Sequence, residues 1–123
     1  MPRSTRHRIV LVTAPDAGVA RRLARSALEA RLVACANLVP GVESHYWWQG
    51  ALESATEVLI LFKTTGARVA ALERLVRKEH PYETPEFLAL SPGHGSAAYL
   101  DWITDSVVPT PARRRRRSGH DAH

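Results

Sequence analysis

The sequence has little of what anchors or cross-links several classes of protein. Its 123 residues include one cysteine, Cys35, so no disulfide can form within the chain. No apolar run approaches the roughly 18 residues that cross a bilayer, and the first residues lack the apolar stretch of a secretory signal. We therefore expect a cytoplasmic protein without a membrane partner.

Motifs of familiar enzyme classes are also missing. The sequence contains no serine nucleophile elbow, no paired His-Glu zinc motif and no phosphate-binding P-loop. Residues 13–16, where a strand is expected to enter a helix, could hold an anion through backbone amides, but no glycine fingerprint accompanies them. We predict that the protein is not an enzyme.

Positive charge is concentrated at the two ends of the chain. The net charge is +5, yet residues 9–108 hold nine basic and eleven acidic side chains, a balance of −2. We predict a basic N-terminal arm at 1–8, one folded domain at 9–108, and a disordered arginine-rich tail at 109–123. Nucleic acid would bind only to this tail, and only non-specifically.

The interior of the chain alternates between strand and helix patterns. Short apolar runs predict strands, and apolar residues at helical spacing predict helices. The predicted elements are a strand at 9–12, a helix at 19–28, a second strand at 32–38 that is broken at Pro40-Gly41 and resumes at 42–48, a strand at 56–65, a helix at 69–76, a strand at 87–90, and a last helix capped by Ser96. This order predicts an α+β, ferredoxin-like βαββαβ sandwich with an extra C-terminal helix and a long β2–β3 hairpin.

Both faces of the predicted sheet are apolar. In the third strand Val58, Ile60 and Phe62 point one way, while Leu59 and Leu61 point the other. A sheet with one face in water alternates apolar with polar residues instead. Another copy of the chain is the simplest cover for the second face, so we predict a homo-oligomer.

The segment 80–86 concentrates polar side chains around two prolines, at positions 81 and 85. His80, Tyr82, Glu83 and Glu86 fall within seven positions of backbone that the prolines hold extended. Such a loop can present an imidazole and carboxylates as metal ligands or as an acid–base pair. The alternative is a stiff connection whose polar groups complete the hydrogen bonds of the loop itself.

Two further features are candidates for an interface or a pocket. Cys35 lies among small residues on a strand, where a free cysteine usually packs as a small hydrophobe and otherwise could act as a soft metal ligand. Tyr46, Trp47 and Trp48 cluster near the hairpin tip. These aromatic rings could stack on a base or sugar, but a subunit contact is favoured because aromatic residues are enriched at interfaces.

Several segments, in this order and spacing, resemble the divalent-cation tolerance (CutA) family over residues 9–107. They are residues 13–16, 32–37 and 46–50, Glu57, and residues 63–65, 80–86 and 99–102. The resemblance implies a homotrimer of ferredoxin-like subunits with sheets packed inward and hairpins clasping neighbours. It also implies a role in the response to metal ions, copper above all, without a clear catalytic activity. Tyr82 and Trp102 lie in matching segments and join the predicted interface or pocket residues.

The copper ligands proposed for the family carry over only in part. Some bacterial relatives have a cysteine directly before the Thr-Ala-Pro segment, where this sequence has Val12. Those relatives have two histidines before the Pro-Tyr step, where this sequence has Glu79 and His80. We therefore predict that His80, with Glu79 or Glu83, binds copper(II) or another divalent cation at a subunit boundary.

One alternative function comes from proteins that share the predicted fold. Trimeric signalling modules of the nitrogen-regulatory-protein type bind a small ligand between subunits. A glycine-rich phosphate loop and a basic cleft would favour that function, and residues 9–108 show neither. The metal-response function therefore ranks first.

Overall fold

The computed structural model describes Ser4 and residues 6–108 of the chain. The elements in chain order are β1 (His7–Ala14), α1 (Ala17–Glu29), β2 (Cys35–Trp48), β3 (Ala51–Thr65), α2 (Gly66–Glu79), β4 (Leu88–Leu90) and α3 (Ala97–Ser106). Half of the predicted basic arm (residues 1–3 and 5) and the whole arginine-rich tail lie outside the described residues. Among the helices of the described part, none has the length and apolar character that crossing a membrane requires.

The four strands form one antiparallel sheet in the order β2-β3-β1-β4. The predicted α+β class, the order of elements and the long β2–β3 hairpin are confirmed. The hairpin pairs fully out to Trp48 and Ala51, because Gln49 and Gly50 both adopt positive φ at the turn. The strand β3 therefore begins at Ala51, five residues before the predicted start.

Strand β1 begins at His7, two residues before the predicted start of the domain. His7 is buried, and its ring is held on both sides. Its Nε2–H donates to the Leu100 carbonyl oxygen at 3.0 Å, and its Nδ1 accepts from the Ser4 hydroxyl at 2.6 Å. The contact with Leu100, which is 93 positions away and which no local pattern reveals, helps to extend the strand into the basic segment.

A β-bulge interrupts the pairing of β2 with β3. Val39 pairs with Leu59, but Val42 pairs with Glu57, so β2 has one residue more than β3 between these pairs. Pro40 has no N–H to donate, and Gly41 takes a φ of +75°, which a residue without a side chain tolerates. The hairpin is thereby bent where Glu57 begins the buried part of β3.

The core lies between one face of the sheet and the helices α1 and α2. Fully buried apolar side chains from both layers meet there: Val10, Val12, Ile60 and Phe62 from the sheet, and Leu23, Leu72 and Val76 from the helices. Helix α1 starts where the Asp16 carboxylate accepts from the Val19 N–H at 2.8 Å. The capping residue is therefore Asp16 itself, and Pro15 precedes the helix.

The opposite face of the sheet, called the open face below, is apolar and only partly covered. Leu11 pairs with Leu61 and with Leu88, which places the three side chains on this face. Leu88 is 55% exposed, and the neighbouring Leu90 is 46% exposed. Helix α3 covers only the end near the His7 side chain, which hydrogen-bonds to it.

Candidate functional site

A cavity of about 840 Å³ lies past the C-terminal end of β1, between the hairpin and the loop that joins α2 to β4. We call it the acidic cavity. Its lining residues come from β1, from the bent part of the hairpin and from the loop: Thr13, Glu43, Ser44, His45, Tyr46, Trp48, Glu57, Tyr82, Glu83, Thr84, Pro85 and Glu86. Four of the twelve side chains are carboxylates, three are aromatic, and none is lysine or arginine.

A buried carboxylate and a tyrosine form the inner part of the acidic cavity. Glu57 is only 7% exposed, and its Oε2 accepts a hydrogen bond from the Tyr82 hydroxyl at 2.9 Å. Burial first, and then the hydrogen bond to Glu57 and the charge of Glu57, raise the pKa of Tyr82 to about 12. This hydrogen bond joins the loop to β3 across the floor of the cavity.

The electrostatic potential of the acidic cavity is negative. Burial raises the pKa of Glu86, and the charge of Glu57 raises it again. At the mouth, Glu43 Oε2 and His45 Nε2 lie 2.6 Å apart on exposed side chains. A positively charged group entering the cavity would therefore be attracted by carboxylates at the floor and at the rim.

His80 holds the loop in place. It caps the C-terminus of α2, and its side chain is buried. The Nδ1 atom accepts from the Tyr82 backbone N–H at 3.1 Å, so the ring proton is on Nε2, which donates to the Thr13 carbonyl oxygen at 2.7 Å. Both ring nitrogens are thus engaged, and the ring packs against Tyr82 with centroids 4.7 Å apart.

The three predicted metal ligands occupy different surroundings. Glu79 is half-buried at the end of α2, His80 is buried beneath the loop, and Glu83 is exposed at the edge of the acidic cavity. Among the residues that the structure describes, no three His, Cys, Asp or Glu side chains are arranged to hold a metal ion. A cation bound at His80 would have to replace one of its two hydrogen bonds.

The residues predicted to form an interface or a pocket lie in three different places in the structure. Tyr46, Trp48 and Tyr82 line the acidic cavity. Trp47, which is 71% exposed, pairs across the hairpin with Leu52, which is 70% exposed. The remaining two, Cys35 and Trp102, lie elsewhere.

Cys35 lies at the far end of β3 from the acidic cavity, opposite Lys63. Its Sγ donates to Asn37 Oδ1 at 3.4 Å and lies 3.8 Å from the Lys63 ammonium nitrogen. Tyr99 of α3 contacts the same thiol, and Trp102 stacks on Tyr99 with ring centroids 5.5 Å apart. These residues anchor α3 on the sheet and take no part in the cavity.

Sequence reasoning did not assign Glu43 or Glu57 to a site, and it named Glu86 only as one of the polar residues of the 80–86 loop. The sequence did contain an indication that Glu57 is important, because this charged residue stands directly before the apolar run 58–62. A carboxylate buried at the start of a core strand needs a partner, and Tyr82 supplies it. The hairpin approaches the loop beyond the bend at Gly41; the sequence predicted the break at Pro40-Gly41, which is confirmed, but not the direction in which the hairpin bends.

The sequence of this chain is similar to those of known proteins. The family whose model matches residues 8–106 is described as CutA1 divalent ion tolerance protein. A divalent-cation tolerance protein CutA of Pectobacterium atrosepticum is 44% identical over 99 residues, which cover 80% of this chain and 90% of that one.

Solved structures agree with this sequence match. The divalent cation tolerance protein Cut A1 from Thermus thermophilus superposes with a TM-score of 0.80 at 42% identity, over 81% of this chain and 97% of that one. CutA from Synechococcus elongatus gives a TM-score of 0.82 at 38% identity, over 87% and 95% of the two chains.

Proposed function

Since the chain belongs to the CutA1 divalent ion tolerance protein family, we propose that it acts in the response to divalent metal ions as a homotrimer of ferredoxin-like subunits that binds copper(II) or another divalent cation. The observation that carries this proposal is the family match over residues 8–106, together with 44% identity to a named relative. The geometry supports its two parts, assembly and cation binding, separately.

The open face supports assembly. Leu88, Leu90 and Val39 are each at least 41% exposed on a sheet whose other face packs against α1 and α2. Exposed, contiguous apolar surface of this kind marks an interaction site in soluble proteins. Packing the open faces of identical chains together would bury it by a closed symmetric contact.

The acidic cavity supports cation binding. Its carboxylates attract divalent cations, and Glu83 at its edge follows His80 by three residues. The residues of one chain do not complete a set of three ligands within the described part. A copper(II) site here would therefore combine His80 and Glu83, or Glu79, with water or with groups of a neighbouring subunit.

Calorimetric titration with copper(II) tests the cation site. The full chain would carry H120A and H123A, because these terminal histidines could bind copper by themselves. We expect binding at a whole-number ratio per trimer that is lost on His80→Ala and weakened on Glu83→Gln. The exposed His94→Ala variant is the matched control and should bind like its parent.

Two results would contradict the cation site. One is the absence of copper binding in the parent chain. The other is binding that neither His80→Ala nor Glu83→Gln alters. Because Glu83 is exposed, its variant should fold even if loss of the buried His80 ring disturbs the loop.

A nucleotide-binding signalling module is disfavoured by the charge of the cavity. Phosphate groups are held by basic side chains or by backbone amides of glycine-rich loops. The acidic cavity contains four carboxylates and no lysine or arginine, so it would repel a nucleotide.

The proposal also includes a cytoplasmic location and the absence of catalysis. The absence of catalysis is supported by the lack of nucleophile, zinc and phosphate-loop motifs in the sequence. Cell fractionation followed by immunodetection of the full chain tests the location. Recovery in a membrane or secreted fraction would contradict it.

A further inference from the structure

We propose that the acidic cavity binds an organic guanidinium group, held between its carboxylates and its aromatic rings. This ligand class is distinct from a bare metal ion, and the inference does not depend on copper binding.

The charge of the cavity selects a cation. Glu43, Glu57, Glu83 and Glu86 line it without a lysine or arginine, although the whole chain carries a net charge of +5. The most buried of them, Glu57, is fixed by the Tyr82 hydroxyl. A carboxylate that is already oriented can accept hydrogen bonds from a ligand with little further loss of side-chain entropy.

The aromatic rings select an organic cation over a strongly hydrated one. Tyr46, Trp48 and Tyr82 line the same space as the carboxylates. The faces of such rings attract cations, and the planar, weakly hydrated guanidinium both stacks on rings and donates in a fork to carboxylates. A bare metal ion has no planar group to stack on a ring and no N–H to donate to a carboxylate.

Size and ligand geometry agree with this selection. A metal ion with six waters, at roughly 30 Å³ per water, would fill only a small part of the cavity, whose volume is about 840 Å³. The described side chains also contain no group of three that converges on one metal position. The space fits a ligand with a cationic head and an aliphatic body.

A bound guanidinium would change the protonation of Glu86. Burial and the charge of Glu57 both oppose ionisation of this carboxyl. A guanidinium beside it would favour the ionised form and lower its pKa. Binding should therefore release protons at acidic pH.

Two sources could supply the guanidinium. One is a free small molecule, and the other is Arg113–Arg117, five consecutive arginines of this chain or of another copy. Both would use the same hydrogen bonds and ring contacts. Replacing the five arginines by glutamine separates the two sources.

The test uses a pair of probes that differ in charge and not in shape. Butylguanidinium and its neutral counterpart butylurea are titrated calorimetrically into the full chain, with a metal chelator present. We expect butylguanidinium to bind at least about tenfold more tightly than butylurea. Glu57→Gln and Glu86→Gln should each weaken its binding several-fold, whereas Glu73→Gln, exposed on α2 outside the cavity, should not.

The arginine-free variant distinguishes the sources. If its affinity for butylguanidinium exceeds that of the parent chain, the tail competes for the cavity, and if the affinities are equal, a free molecule is the ligand. The proposal is overturned if neither chain prefers butylguanidinium to butylurea. It is also overturned if Glu57→Gln and Glu86→Gln bind the probe as well as Glu73→Gln does.

Discussion

Tyr82 donates its hydroxyl to Glu57 at 2.9 Å and thereby connects the loop after α2 to the start of the buried part of β3. The two residues are 25 positions apart in sequence. Together they form the floor of the acidic cavity, and Glu57 is the most buried of its four carboxylates. The chemistry of the site therefore depends on this contact.

Removing the Tyr82 hydroxyl should destabilise the protein. Tyr82→Phe leaves Glu57 buried without its observed donor, at a cost of about 1–3 kcal/mol in the free energy of unfolding. Urea unfolding of the full chain measures it. Tyr46→Phe changes a hydroxyl in the same cavity on a more exposed ring and is the matched control. Equal stability of the two variants would show that the hydrogen bond contributes nothing.

Replacing Glu57 should lower the pKa of Tyr82. The wild-type pKa is raised to about 12 by burial, then by the hydrogen bond and charge of Glu57. Glu57→Gln keeps a hydrogen-bond acceptor but removes the charge, so the pKa should fall toward, but not reach, the ordinary value of 10.0.

Ultraviolet titration of phenolate, with Tyr82→Phe as the blank, measures this shift. Glu43→Gln removes a charge at the mouth and should leave the Tyr82 pKa where it is. An unchanged pKa in Glu57→Gln would contradict the described electrostatics.

Loss of the His80 ring should loosen the loop. His80→Ala removes a buried ring and leaves the Tyr82 N–H and the Thr13 carbonyl without partners, which should cost about 2–3 kcal/mol. Amide hydrogen exchange should speed up at Tyr82 while the core of α1 keeps its protection. His94→Ala, on an exposed loop, should do neither. Unchanged exchange at Tyr82 would rule out a positioning role for His80.

Glu86 should make the protein less stable as the pH rises. Its folded pKa is raised, so between the unfolded value of 4.5 and the folded value the folded chain binds more protons and stability falls with increasing pH. Glu86→Gln removes this cost. The variant should be more stable at neutral pH by roughly a few tenths of a kcal/mol, because water screens a partly exposed carboxyl.

The gain should disappear below the ordinary glutamate pKa of 4.5, where Glu86 is protonated in both states. Thermal unfolding across this pH range measures it, with Glu73→Gln as the exposed control. A gain that persists at acidic pH would have another origin.

Local sequence patterns predicted the order of the secondary-structure elements but not the residue at which β1 begins. Strand and helix periodicity predicted the order of elements, and that order predicted the long β2–β3 hairpin. The start of β1 was not predictable, since His7 is polar and its ring is bonded to the carbonyl of Leu100, 93 positions away. Contacts between distant segments outweigh local preference there.

The sequence indicated the loop of the candidate site, but it did not indicate the cavity that this loop forms with the hairpin. The crowding of polar residues in 80–86 correctly indicated a constrained segment, and the structure shows His80 completing loop hydrogen bonds. Glu57 faces that loop because of the strand pairing set by the bulge at Gly41. Such a meeting of hairpin and loop depends on three-dimensional curvature, which residue spacing does not encode.

Native mass spectrometry of the full chain with added copper(II) tests the central proposal most directly, because one spectrum reports both assembly and bound metal. The H120A/H123A background removes copper binding by the terminal histidines. We predict a trimer of 13.6-kDa chains carrying a whole number of copper ions. A monomer, or a trimer that carries no copper, would contradict the proposed function.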